Sequence, residues 1–376
     1  DMYGVSYTLL GTLVLVNFCT QLTIDLIFTF FSRHFNIHAT VKIMPLLTSL
    51  GLVIYAVAPA LFPQYAYAGL LAGTFLFSVS AGLSEVLMSP LVAAIPSEHP
   101  ERDMSLLHSL YAWGVVTVVI ISTIFFQIFG TQNWMYLTLF FALLPLVAFW
   151  LFATSPMPDM QVGHADGANG RKKRWTGLAF CVGCIFLGSA AENTMSNWIS
   201  GFMENALHIP KAWGDIFGMA LFGTLLGLGR ILYAKYGRNI SNVLLAGMAG
   251  ATVCYLVAGL SKNVVFAFAA CVLTGFCTSM LWPGTLILME EKVENPGVTA
   301  YALMAAGGDL GASLAPQLMG VVVDTVSVSA FADNMGAKLS MTAEQVGLKT
   351  GMLTASVYPI LGIVLLLFVK RYFKKQ

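Results

Sequence analysis

Eleven runs of about 20 or more mostly apolar residues follow one another along 376 residues, and each is long enough to cross a bilayer as a helix. They cover approximately 7–31, 40–62, 66–95, 102–129, 133–154, 176–205, 211–235, 239–260, 264–290, 297–325 and 350–370. The runs are continuous rather than alternating, so the expected class is all-α integral membrane and not a closed barrel. Only 10% of the residues are charged, against about 25% in soluble domains. Lipid must therefore solvate most of the surface. The net charge of +1 carries no nucleic-acid signal. All six cysteines lie inside apolar runs, and Cys181-x-x-Cys184 has neither a second pair nor a nearby histidine. They read as packing residues, and no metal or other cofactor is expected.

The longest polar connection, "SPMPDMQVGHADGANGRKKRW" at 155–175, separates five spans in 1–154 from six in 176–376. Lysine and arginine fall unevenly on the connections. Arg33, Lys42, Arg102, Arg171 to Arg174, Lys235, Arg238, Lys292, Lys370, Arg371, Lys374 and Lys375 lie on one set. Lys211, Lys262, Lys338 and Lys349 lie on the other, and Arg230 lies within a span. The rich set faces the cytoplasm, which puts the central connection and the C-terminus inside and Asp1 outside. An outer N-terminus and five spans set against six are both explained if a helix before residue 1 is absent from this chain.

An internal repeat supports that expectation. An offset of 193 brings Pro90 onto Pro283, Glu98 onto Glu291, Glu101 onto Glu294 and Gly114 onto Gly307. Near the start the offset is 203, which brings Gly11 onto Gly214, so the first visible span matches the second span of the later half. Parallel six-helix repeats build pseudo-symmetric transporters whose binding site lies between the halves. An N-terminal bundle over 1–154, a cytoplasmic linker over 155–175 and a C-terminal bundle over 176–376 are expected.

A charge in hydrocarbon must be paired, wetted or neutralised, and each one is a functional candidate. Glu85 in "SEVLMSP" lies about 28 Å along its span, and His108 about 9 Å along the next span from the opposite side. The two are candidates for proton coupling, with a structural hydrogen bond between helices as the alternative. Asp309, among Gly307, Gly308 and Gly311, is a third candidate, as a second proton or substrate carboxylate or as a group satisfied by neighbouring backbone. Glu192, Asn193 and Asn197 form a polar wedge suited to hydroxyl groups, beside Trp198 as a flat surface. Asn17, Gln21 and Asp25 are spaced by four. The first two suit a substrate cavity. Asp25 suits a gate with Arg33 and Arg230, paired either with Arg230 or with the polar loops. Trp113 and Trp282 are candidate stacking surfaces for a sugar ring. Pro90 and Pro283 each free a carbonyl one turn back and permit a hinge in each half. Gly223-x-x-x-Gly227 reads as helix packing.

Several of these stretches resemble the major facilitator superfamily, and within it the fucose permease-like branch of sugar:proton symporters. Glu85 followed by Ser89-Pro90 is similar to that branch's fourth-helix pattern, with serine in place of asparagine. "SLLHSLYAWGV" at 105–115 resembles its fifth helix, "GSAAENTMSNWI" at 188–199 the first helix of its second half, and "LWPGTLILMEE" at 281–291 its tenth helix. The superfamily's Gly-x-x-x-Asp-Arg-x-Gly-Arg loop is eroded in "FTFFSRHFNIHATVK", where only Arg33 survives and Ser32 stands at the aspartate position.

The resemblance implies a secondary active transporter that moves a small polar solute, a sugar above all, by proton-coupled alternating access. Its partners would be the solute, protons and the lipid bilayer, with no nucleic acid, and the protein would act as a monomer. Nothing resembles the nucleotide-binding pattern G-x-x-x-x-G-K-[ST]. A facilitative uniporter, an antiporter of another metabolite or drug, and a membrane solute sensor are the alternatives. An integral-membrane enzyme would need clustered His, Asp or Cys at one interface, and none is apparent in the sequence. The absence of an Asn-x-Ser/Thr site in the expected outer loops leans towards a bacterial inner membrane.

Overall fold

The structure is a computed structural model that describes residues 7–158, 168–210 and 213–374. Lys211, Lys375 and residues 159–167 of the central connection lie outside the described residues. The described residues contain helices and no strand. In chain order these are α1 (Tyr7–Phe31), α2 (Ile37–Leu61), α3 (Ala66–Ala93), α4 (Pro100–Phe129), α5 (Trp134–Thr154) and α6 (Ala168–Gly201). Then come α7 (Leu221–Tyr236), α8 (Ile240–Leu260), α9 (Val264–Thr278), α10 (Pro283–Lys292), α11 (Gly297–Ser327), α12 (Ala330–Leu339), α13 (Ala343–Ala355) and α14 (Val357–Lys374). Ten helical stretches among the described residues are long and apolar enough to cross a membrane, and α1 adds a further helix of 25 residues.

The helix starts are written in the connections. Asn36 accepts the Ala39 N–H at 3.1 Å, Asn239 the Asn242 N–H at 3.1 Å, and Asn263 the Val265 N–H at 2.8 Å. Each side chain supplies an acceptor to a first turn that has no intrahelical one. Thr342 and Gln345 make a reciprocal capping box at the start of α13. Large apolar side chains such as Phe30, Ile128, Leu260 and Val265 are exposed, as expected where the solvent is lipid.

Three features depart from the expected spans. The ninth span is broken between α9 and α10, directly before Pro283, whereas α3 runs unbroken through Pro90. Two stretches, Phe202–Ala206 and Gly214–Ala220, are π-helical. The short helix α12 lies in the connection between the last two spans, capped by Ser329 at its start and ended by Ser340 in the left-handed conformation.

The chain forms two compact units. The first comprises residues 1–96, 117–164 and 295–306, and the second residues 97–116, 165–294 and 307–376. In the first unit α2 and α3 approach backbone to backbone. A Cβ added at Gly51 would lie 2.6 Å from the Phe77 nitrogen, and one at Gly73 would lie 2.6 Å from the Tyr55 nitrogen. Without a hydrophobic drive between helices in lipid, such close contact supplies the attraction. Polar side chains add to it. Thr48 donates to Ser80 at 2.7 Å, and Ser49 donates to the Ala142 carbonyl at 2.8 Å. Phe28, Val41, Met44, Leu83, Val86 and Val298 belong to the apolar centre of this unit.

The second unit uses the same device around α6. Gly188 faces Leu281, Gly307 faces Val182, and Gly311 faces the Phe186 carbonyl. Tyr255 donates to the Ala191 carbonyl at 2.7 Å, and Gln345 to the Ala206 carbonyl at 3.1 Å. A side chain at Gly73 must force α2 and α3 apart. Gly73→Val is expected to lower the melting temperature of the detergent-purified protein by several degrees, measured by tryptophan fluorescence, while Gly114→Val, at a position with open space, leaves it within about a degree.

Candidate functional site

The second unit contains an arginine buried among helices. Arg230 is 2% exposed. Its position follows from two neighbours in the sequence. Gly229 lets α7 come into contact with Ser279, where any side chain would collide with the serine hydroxyl. Pro283 lacks an N–H, so the carbonyl four residues back, that of Ser279, loses its helical donor. The Arg230 Nε–H fills that vacancy, donating to the Ser279 carbonyl at 2.8 Å.

The rest of the guanidinium is equally constrained. Nη1 donates to the His108 carbonyl at 2.7 Å. Nη2 meets both carboxylate oxygens of Glu192, at 3.3 and 3.5 Å. The Arg230 carbonyl accepts from the Ser105 hydroxyl at 2.7 Å. Four elements thus converge on one side chain: α4, α6, α7 and the break between α9 and α10. Burying an ion pair is costly unless hydrogen bonds satisfy what remains of each partner, and for the guanidinium two backbone carbonyls do so. The two carbonyl bonds have the length of good hydrogen bonds, whereas the carboxylate contact is longer than the 2.7–2.9 Å typical of charge-assisted pairs. Glu192 is also the more accessible partner, its side chain 12% exposed against 2% for Arg230.

Other expected residues surround this cluster in the same unit. The Trp113 ring lies against Gly227, and Gly223 faces Val116, so α7 packs on α4 through its paired glycines. The Trp282 ring lies against Gly308, next to Asp309, which is 8% exposed. Asn193 donates to Ser189, and Asn197 to the Asn193 carbonyl at 2.8 Å. The Trp198 N–H, expected beside a sugar, donates to the Pro316 carbonyl at 3.1 Å, and the ring packs near Gly320. Its indole nitrogen is spent on α11. The carboxylate that Arg230 pairs with is Glu192. Arg230 reaches that carboxylate because Pro283 and Gly229 draw α7 onto the broken helix rather than towards a loop.

In the first unit Asn17, Gln21, Asp25 and Glu85 lie along the contact of α1 with α3. Ser78 donates to Asn17 at 2.6 Å, and Gly82 lies against the backbone of Gln21. The parallel register then brings Asp25 level with Glu85, one turn further on. Asp25 is fully buried and Glu85 half-buried. Arg33 is exposed in a turn of 3-10 helix, Ser32–His34, while Ser32 contacts Thr299 at 3.2 Å. A cavity of about 380 Å³ in this unit is lined by apolar side chains including Ile24, Phe28, Ile43, Leu47, Val79 and Leu83. None of the expected ligands lines it.

Sequence reasoning did not identify the Ser279 and His108 carbonyls or the Ser105 hydroxyl. Only the first had a signal, the proline four residues downstream.

The Major Facilitator Superfamily sequence model matches residues 1–316. The chain belongs to this superfamily. No curated protein sequence matches it. Among solved structures, a single-substitution variant of the Escherichia coli fucose:proton symporter, FucP, superposes with a TM-score of 0.72 at 12% identity, over 96% of this chain and 91% of that one. The proton:xylose symporter XylE, bound to 6-bromo-6-deoxy-D-glucose, gives 0.74 at 13% identity, over 96% and 88%. The human organic anion transporter MFSD10 gives 0.68 at 13%, over 95% and 82%. At these identities the likeness is one of fold, and the superfamily membership rests on the sequence match.

Removing one partner of the buried pair leaves the other charge uncompensated. Arg230→Met is expected to cost roughly 3–5 kcal/mol of stability, and the double variant Arg230→Met/Glu192→Met to recover most of it. Equilibrium unfolding of wild type, the single variants Arg230→Met and Glu192→Met, and the double variant in a mild detergent measures the coupling.

Proposed function

We propose that this superfamily member is a secondary active transporter that moves a small polyhydroxylated solute, a sugar, by proton-coupled alternating access. The observation that carries the reading is the cluster around Glu192 and Arg230, anchored to the Ser279 carbonyl of a proline-broken helix, in a chain whose structural neighbours include two sugar:proton symporters. Glu192, Asn193 and Asn197 offer acceptors for sugar hydroxyls, and Asn17 and Gln21 offer a second polar edge. Trp113 and Trp282 supply ring faces beside backbone held close by glycine.

Glu85, His108 and Asp309 are the proton-carrying candidates in this reading, with Asp25, Arg33 and Arg230 in gating positions. The two repeats act as bundles over 1–154 and 176–376, joined by the connection at 155–175. The lysine and arginine asymmetry favours a cytoplasmic C-terminus, and the reading is of a monomer in a bacterial inner membrane. An inward proton moving through 100 mV supplies about 2.3 kcal/mol, enough for roughly fiftyfold accumulation.

Reconstituted protein is expected to catalyse saturable counterflow of a labelled sugar and to concentrate it when the outside is acidified. Glu85→Gln is expected to retain counterflow and lose accumulation. Binding without counterflow would indicate a sensor, and accumulation unaffected by Glu85→Gln would remove that carboxylate from the coupling path.

A further inference from the structure

The three contacts of the Arg230 guanidinium are not equivalent. Nε and Nη1 are held by short bonds to the Ser279 and His108 carbonyls, at 2.8 and 2.7 Å. Those acceptors belong to the backbone and hold the guanidinium in place. Its third edge, at Nη2, meets Glu192, at 3.3 and 3.5 Å. A guanidinium edge of this kind recognises a carboxylate. Here the chain supplies that carboxylate itself, and its contact is the longest of the three.

We infer that Glu192 is the charge selector of the carrier. It fills the anion site of Arg230 from within, brings the pair to zero net charge, and restricts the site to uncharged polyhydroxylated solutes. A solute carboxylate entering beside it would meet a like charge that has already taken its only complementary partner, and such a juxtaposition is costly in a desolvated site. A neutral sugar meets a fixed acceptor instead, since a carboxylate accepts hydrogen bonds from several hydroxyls. Removing the internal charge while keeping its shape would leave Arg230 anchored by its two carbonyls with a vacant third edge. The site would then accept the acid form of the same ring. The inference rests on the proposed sugar transport and names the charge class of its substrate.

Matched pairs of solutes test it: glucose with glucuronate, galactose with galacturonate, and mannose with mannuronate. Binding to purified protein is read from thermal shift, and counterflow from proteoliposomes. Wild type is expected to prefer the neutral member of the pair it recognises by about tenfold or more. Glu192→Gln is expected to reverse or abolish that preference by gaining the acid, and Arg230→Gln added to it is expected to lose the acid again. If Glu192→Gln proves too unstable to purify, the wild-type preference alone decides. Equal handling of acid and neutral ring by wild type overturns the inference. So does a Glu192→Gln protein that binds the neutral ring and gains nothing for the acid, and in either case the proposed sugar transport stands. Failure of wild type to bind or exchange any member of the three pairs overturns the sugar reading, and the inference falls with it.

Discussion

A guanidinium that is 2% exposed inside an apolar unit has to find acceptors for its N–H groups within the protein. Most of what is distinctive about the second unit follows from how that requirement is met. A broken helix frees the Ser279 carbonyl, α4 presents the His108 carbonyl, and α6 brings Glu192. Removing the proline would restore a competing donor for Ser279, and adding a side chain at Gly229 would push α7 away from it. Arginine, proline and glycine here form one device, assembled from distant parts of the chain.

The first unit has no matching construction at its own proline. Beyond Pro90 the helix continues, with the Ala94 N–H donating to the Pro90 carbonyl at 3.0 Å. The sequence repeat that aligns Pro90 with Pro283 therefore does not predict equal geometry. A freed carbonyl becomes a lasting break where another element delivers a donor to it, as Arg230 does at Ser279. The contact between α1 and α3 is built differently, from the Ser78 hydroxyl donating to Asn17 and from Gly82 lying against the backbone of Gln21.

How much of this is legible in the sequence divides along physical lines. The helices and their approximate ends are legible because span length and apolar continuity are local properties, and the asparagine caps mark several of the starts. Helix α12 is not, since its 10 mixed residues fall well below the length of a span. The π-helical stretches have no sequence signal either. Glu192 and Arg230 each stand out as charges in apolar runs, but their pairing depends on helix rotation and packing between elements 38 positions apart. Trp198 misleads for a related reason. Its ring is as suitable for stacking as any other, and only the tertiary structure reveals that its N–H is committed to the Pro316 carbonyl. Superfamily membership, by contrast, is readable from a handful of short motifs.

The central claim is that the Arg230 Nε–H stands in for the backbone donor that Pro283 lacks. Hydrogen exchange at the arginine Nε position tests it directly, using protein isotopically labelled at the arginine nitrogens and a signal assigned by its loss in Arg230→Lys. The account predicts one strongly protected Nε–H in wild type, exchanging markedly faster in Pro283→Ala, where a backbone N–H again competes for the Ser279 carbonyl. Rapid exchange of the Arg230 Nε–H in the wild-type protein would contradict it.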